Sequence, residues 1–127
     1  MRTFVNWAGT VISKPNAWHV PDSDNEICEL VRRAAANGGH VKVVGAGHSW
    51  SPIAAPHDIA LSLDRRSGII SHDAVRSEVV VRAGTRLRDL NAALAARGLA
   101  LPIVGSIAEQ AIAGAIATGT HGSNLVH

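Results

Sequence analysis

The sequence predicts an α+β fold. Two stretches carry apolar residues at helical spacing, a β-branched run feeds a glycine turn, and two later β-branched runs flank a short polar turn. The mixture of helices, a strand suited to parallel pairing and hairpin-like strands favours α+β over a doubly wound sheet.

The elements follow in order. Ser23-Asp24-Asn25-Glu26 reads as a capping box, in which Ser23 and Glu26 satisfy each other's backbone donors. It opens a helix with Ile27, Leu30, Val31, Ala34 and Ala35 on one face and Gly38 after its end. Val41 to Val44 reads as a buried strand that runs into the glycine turn, and Ile59 to Leu63 as a second strand alternating with period two. Ile69-Ile70 and Glu78 to Ala83 form a hairpin around Asp73-Ala74. Thr85 is placed to cap a second helix, with Leu87, Leu90 and Leu94 facing inward and Gly98 stopping it. Ser106 to Glu109 suggests another capping box, just before the small-residue run Ala111 to Ala117.

At 127 residues the chain reads as one domain, 1–127, long enough for a real core. Hydrophobic residues at 46% and charged residues at 17% give a globular composition and exclude a disordered one. A net charge of +2, with Lys and Arg scattered, argues against nucleic acid as a partner. The single cysteine, Cys28, excludes an internal disulfide and a cysteine-cluster metal site. Seven histidines invite a metal, yet none pair at i, i+4 with a supporting carboxylate, so no metal is expected. The first twenty residues, interrupted by Asn6, Lys14 and Asn16, hold no apolar core of signal-peptide length. No run reaches membrane-spanning length, and a cytoplasmic protein without a membrane span is the expectation.

Two glycine-rich segments carry the chemistry. Gly45-Ala46-Gly47-His48-Ser49 follows the Val41–Val44 strand, and Ala113-Gly114-Ala115-Ile116-Ala117-Thr118-Gly119-Thr120-His121-Gly122 comes later. Glycine lets backbone approach a flat or phosphorylated group, and exposed N–H groups in such loops suit an anion. A dinucleotide fingerprint does not fit: Trp50 stands where the third glycine belongs, and Pro52 interrupts the helix that should begin there. His48 taken alone reads as a hydrogen-bonded structural histidine, but its place in the glycine turn favours contact with a ligand. Trp7 and Trp18 read as packing aromatics.

Taken together, Asn6-Trp7-Ala8-Gly9, Gly45-Ala46-Gly47-His48-Ser49, Gly98-Leu99-Ala100-Leu101-Pro102 and Ala117-Thr118-Gly119-Thr120-His121-Gly122-Ser123 resemble the PCMH-type FAD-binding domain of the vanillyl-alcohol oxidase family. The match is to its sugar-alcohol and aldonolactone oxidase branch and runs over nearly the whole chain. It implies the N-terminal portion of an α+β domain whose two small α+β subdomains clasp FAD, with the substrate held by a separate C-terminal domain.

Carried over by position, Gly45, Ala46, Gly47, His48 and Ser49 would surround the FAD pyrophosphate, which agrees with the reading from glycine. His48 matches the histidine that many members bond covalently to the 8α-methyl of the isoalloxazine; no cysteine follows where doubly attached members have one, so a single bond is implied. Ser106, Gly114, Thr118, Gly119 and His121 match other cofactor-lining positions. Gly105 precedes that serine near the flavin edge where oxygen arrives, and a small residue there implies an oxidase. The implied reaction is hydride transfer from a CH–OH carbon of a polyol or sugar lactone to flavin, with O2 as acceptor. Family members are much longer, so the chain is expected to be a fragment or one piece of a split enzyme, with a complementary C-terminal chain as a partner and the substrate base beyond residue 127. A reading of a different class stays open: a non-catalytic flavin- or nucleotide-binding fragment or subunit that needs a partner chain.

Overall fold

Strand pairing in the computed structural model, which describes residues 2–126, forms three small sheets. The chain divides into two units between Arg66 and Ser67, and each contains both strands and helix. The expected α+β class is what is found.

In the first unit, β1 (Phe4–Val5) and β2 (Ile12–Ser13) form an antiparallel ribbon. β3 (Ala17–His19), β4 (Val41–Val44) and β5 (Ile59–Ser62) form a parallel sheet in the order β3-β5-β4. The expected alternation in β5 is absent: Ala60, Leu61 and Ser62 are all buried. A central parallel strand is covered on both faces, so its burial runs continuously. The expected burial of β4 is also reduced, to Val44; β4 lies at the sheet edge, where Lys42 and Val43 meet solvent. Phe4, Val44, Ala55 and Ala60 make the core, with Val11, Trp18 and Ala54 packed against it.

α1 (Asp24–Ala36) joins β3 to β4. Ser23 caps it by accepting the Glu26 N–H at 3.2 Å, but the Glu26 carboxylate accepts from Asp22 N–H at 2.8 Å, one residue earlier than the capping box predicts. Its buried residues are Leu30 and Ala34, a narrower stripe than expected, and Val31 is exposed. The helix ends where Gly39 and Gly38 donate back to the Ala34 and Ala35 carbonyls, a Schellman closure. Asp58, just before β5, then ties the segments together: its carboxylate accepts from the His40 N–H at 2.8 Å and the Asn16 amide at 3.2 Å. These two hydrogen bonds, the backbone one first, hold its pKa below the usual carboxylate value.

In the second unit, β6 (Ile69–Asp73) and β7 (Glu78–Val81) form the predicted hairpin, with an irregularity between Ile69 and Ser71. Asp73 starts its turn by accepting from the Val75 and Arg76 N–H groups at 3.0 and 3.1 Å. α2 (Leu87–Ala95) buries Leu87, Leu90 and Leu94 as its periodicity predicts, and α3 (Ile112–Ala117) adds Ala115 to the same cluster. Neither expected cap forms. The Thr85 hydroxyl donates to the Arg82 carbonyl at 2.6 Å and accepts the Gly68 N–H at 2.9 Å, while the carbonyls of Gln110 and Ala108 take the first α2 donors, Leu87 and Arg88 N–H, at 2.9 Å each. Residues 106–109 are not helical, and Glu109 instead meets Arg88 at 2.6 Å.

Leu90→Ala removes the centre of this cluster and should cost about 2–5 kcal/mol, measured as a lowered urea midpoint. A depressed carboxylate pKa stabilises the fold above the unfolded pKa and loses that contribution as pH falls through the folded one. Asp58→Asn should therefore flatten the acid limb of a stability–pH curve, leaving it unchanged in slope near neutrality.

Candidate functional site

Asn6 builds the first candidate segment. Buried to 4% exposure, it donates from its amide nitrogen to the Ser49 carbonyl and to the Thr10 hydroxyl, both at 3.1 Å. Its amide oxygen accepts the Val11 N–H at 2.9 Å, and its backbone closes the turn through Gly9. The next residue, Trp7, donates its N–H to the Gly47 carbonyl at 2.8 Å. The Asn6–Gly9 turn thus grips residues 47 and 49 on both sides of His48.

Gly47 accepts that grip because it has no side chain. Its φ is +71°, and a Cβ there would lie 3.4 Å from Asn6 Cα and 3.5 Å from the Val5 carbonyl oxygen. With the turn held this way, no protein acceptor takes the N–H of Ala46, Gly47, His48 or Ser49 among the described residues. Four successive N–H groups without a protein acceptor thus follow the carboxyl end of a parallel strand, where backbone donors are available to an anion.

His48 is half-buried at the rim of this turn. Its ring stacks on Trp7, with centroids 5.7 Å apart and planes 22° from parallel. Trp50 meets Trp7 edge-on at 6.0 Å and 76°. Both indoles are two-thirds exposed, at 67% and 69%. The expectation that Trp7 is merely a packing aromatic is therefore incomplete. It touches the residue that the sequence singles out, and the motif Asn6-Trp7-Ala8-Gly9 was the signal that could have revealed it.

The second candidate segment lies in the other unit. Gly105 packs against Thr120, since a Cβ at 105 would stand 2.9 Å from Thr120 Cγ2, and Gly122 packs equally closely on Ile103 and the Val104 carbonyl. Gln110 donates to the Thr120 hydroxyl at 3.2 Å. These contacts bring Gly105, Thr120, His121 and Gly122 together. His121 is exposed, with Nδ1 3.1 Å from the Gly122 carbonyl oxygen, and Ser106 is exposed beside Gly105. Thr118 donates its hydroxyl to the Gly114 carbonyl at 2.9 Å within α3.

The two remaining glycines differ. Gly119, at φ +63°, ends α3 with its N–H on Ile116 and the next N–H on Ala115, so the helix end itself requires it. Gly114 lies inside α3, where glycine costs about 1 kcal/mol relative to alanine. A Cβ there would meet nothing within 4 Å. No contact of the described residues calls for glycine at 114.

Residues 15–127 match the family model described as FAD binding domain, and the chain belongs to that family. It is 40% identical over 128 residues to D-arabinono-1,4-lactone oxidase of Eremothecium gossypii, covering 98% of this chain and 24% of that protein. L-gulonolactone oxidase of Scyliorhinus torazame is 37% identical over 124 residues, covering 98% of this chain and 28% of its own. The chain thus spans about a quarter of the length of the curated relatives it matches. Among solved structures, a solvent-stable cholesterol oxidase superposes with a TM-score of 0.83 at 26% identity, over 97% of this chain and 24% of that one. An alkyldihydroxyacetonephosphate synthase does so at 0.74 and 19% identity, over 83% and 21%, and shares the fold.

Gly47→Ala should destabilise the protein by about 1–3 kcal/mol, through strain at positive φ and crowding of the ribbon. The change is read as a lowered thermal midpoint, together with weaker binding of FAD.

Proposed function

We propose that this domain holds FAD, covalently through His48, and that the enzyme containing it oxidises a CH–OH group of a sugar lactone or polyol with dioxygen as electron acceptor. The observation that carries the reading is the row of free N–H groups from Ala46 to Ser49, with the His48 imidazole at its rim. The residues fit the cofactor. The N–H row suits a pyrophosphate, the open flank of Gly114 suits a flat group at close range, and membership of the FAD binding domain family names the class. Lactone oxidation is the activity that the names of its relatives print.

FAD supplies the redox chemistry, accepting the hydride that leaves the substrate carbon as an alcohol becomes a carbonyl. The chain's own residues bind and orient. Ala46 to Ser49 would neutralise phosphate charge with N–H dipoles. Within its own unit, the 105–122 stretch offers Gly105, Ser106, Gly114, Thr118, Gly119 and His121 as candidate cofactor contacts. His48 would form one bond, from an imidazole nitrogen to the 8α carbon. That N–C bond replaces one N–H and one C–H, and dioxygen carries away the two electrons and two protons as hydrogen peroxide. The small residue at 105 fits an oxidase by its match to the family, although Thr120 Cγ2 occupies the side a Cβ would take.

The full-length natural polypeptide should bind FAD on titration and stay yellow after acid precipitation. His48→Ala should keep the fold and release its flavin into the acid supernatant, with lower activity. Flavin still attached in His48→Ala would overturn the attachment site and make His121 the next to test. Absence of FAD binding would overturn the reading as a whole. Lactone turnover that yields one hydrogen peroxide per product supports oxygen as the acceptor; turnover without peroxide refutes it.

A further inference from the structure

We infer that Trp7 is a positioning residue for His48, whose indole face holds the imidazole in the orientation from which it bonds the cofactor; this rests on the attachment proposed above. The His48 ring makes no hydrogen bond among the described residues, so none sets its orientation about the broad two-fold χ2. What restricts it is the stack on Trp7, at 5.7 Å and 22°, the offset arrangement that aromatic rings prefer. Core packing does not account for an indole that is 67% exposed.

The backbone makes the pairing durable. Trp7 N–H holds the Gly47 carbonyl at 2.8 Å, and the Asn6 amide holds the Ser49 carbonyl at 3.1 Å, so the chain on each side of His48 is tied to the turn that carries the indole. Trp50 braces the indole from its edge at 6.0 Å. With both backbones tied, separating the rings requires a side-chain rotation that gives up the stack.

The step that Trp7 would assist is the N–C bond formation written above, with dioxygen as the oxidant. Trp7→Phe keeps an aromatic face, and Trp7→Leu keeps apolar volume without one; both retain the backbone N–H to Gly47. Apoprotein of the full-length natural polypeptide is mixed with FAD, and acid-precipitable flavin is followed in time. Trp7→Leu should slow attachment about tenfold, and Trp7→Phe should restore most of the rate. The dissociation constant for FAD, measured with each Trp7 change in the His48→Ala background, should move by less than the rate does. Without any cofactor, the His48 ring-proton resonances should sit upfield, and Trp7→Leu should remove that displacement. Wild-type attachment in Trp7→Leu would overturn the role of Trp7 while leaving His48 as the site. Equal losses of attachment and FAD affinity would also overturn it, because they mark a merely structural residue. Flavin that stays covalent in His48→Ala would refute the attachment itself and Trp7's role with it.

Discussion

The Asn6 side-chain amide sits in the interior of the first unit and uses both of its ends, the oxygen on Val11 and the nitrogen on Thr10 and Ser49. A buried amide left unpaired is costly, so each of these bonds is enforced by the others. The conformation of the glycine turn follows from them. With the Ser49 carbonyl and the Gly47 carbonyl both pulled toward the amino-terminal ribbon, the intervening N–H groups face away from protein acceptors. The exposure of these donors is therefore set by the residues that hold the carbonyls of the same backbone.

The second unit reaches a similar end by packing. Gly105 and Gly122 each leave room that a Cβ would fill, so segments 103–105 and 120–122 lie in close contact. Arg88 and Glu109 pair at the surface, where such a contact adds little to stability, but the α2 N-terminus is also satisfied by carbonyls of the same stretch. Residues 108–110 are thus held by what α2 needs at its start.

Local signals were legible and remote ones were not. The stripe of Leu87, Leu90 and Leu94 and the stop at Gly98 depend on spacing within one helix, and both appear as the sequence implies. Ser23 capped α1 for the same reason. Thr85 and Glu109 misled because their side chains are engaged elsewhere, Thr85 by Arg82 and Gly68 and Glu109 by Arg88. β5 looked alternating because its sequence does not reveal that both of its faces are covered. At the site, the glycines and His48 stood out by residue type. Trp7 did not, because an indole suits a core equally well, and its distinction is a neighbour brought near by folding.

The bond from Asn6 to Ser49 spans 43 positions. During synthesis the turn therefore leaves the ribosome with half of its scaffold long finished and waiting, and cannot take its shape from β4 alone. Closing a loop of that length costs little more entropy than closing a shorter one, but it must precede any reward from the contacts it creates. The conformation of the Gly45–Ser49 turn is on this account fixed only once the amino-terminal ribbon and the segment after β4 have met.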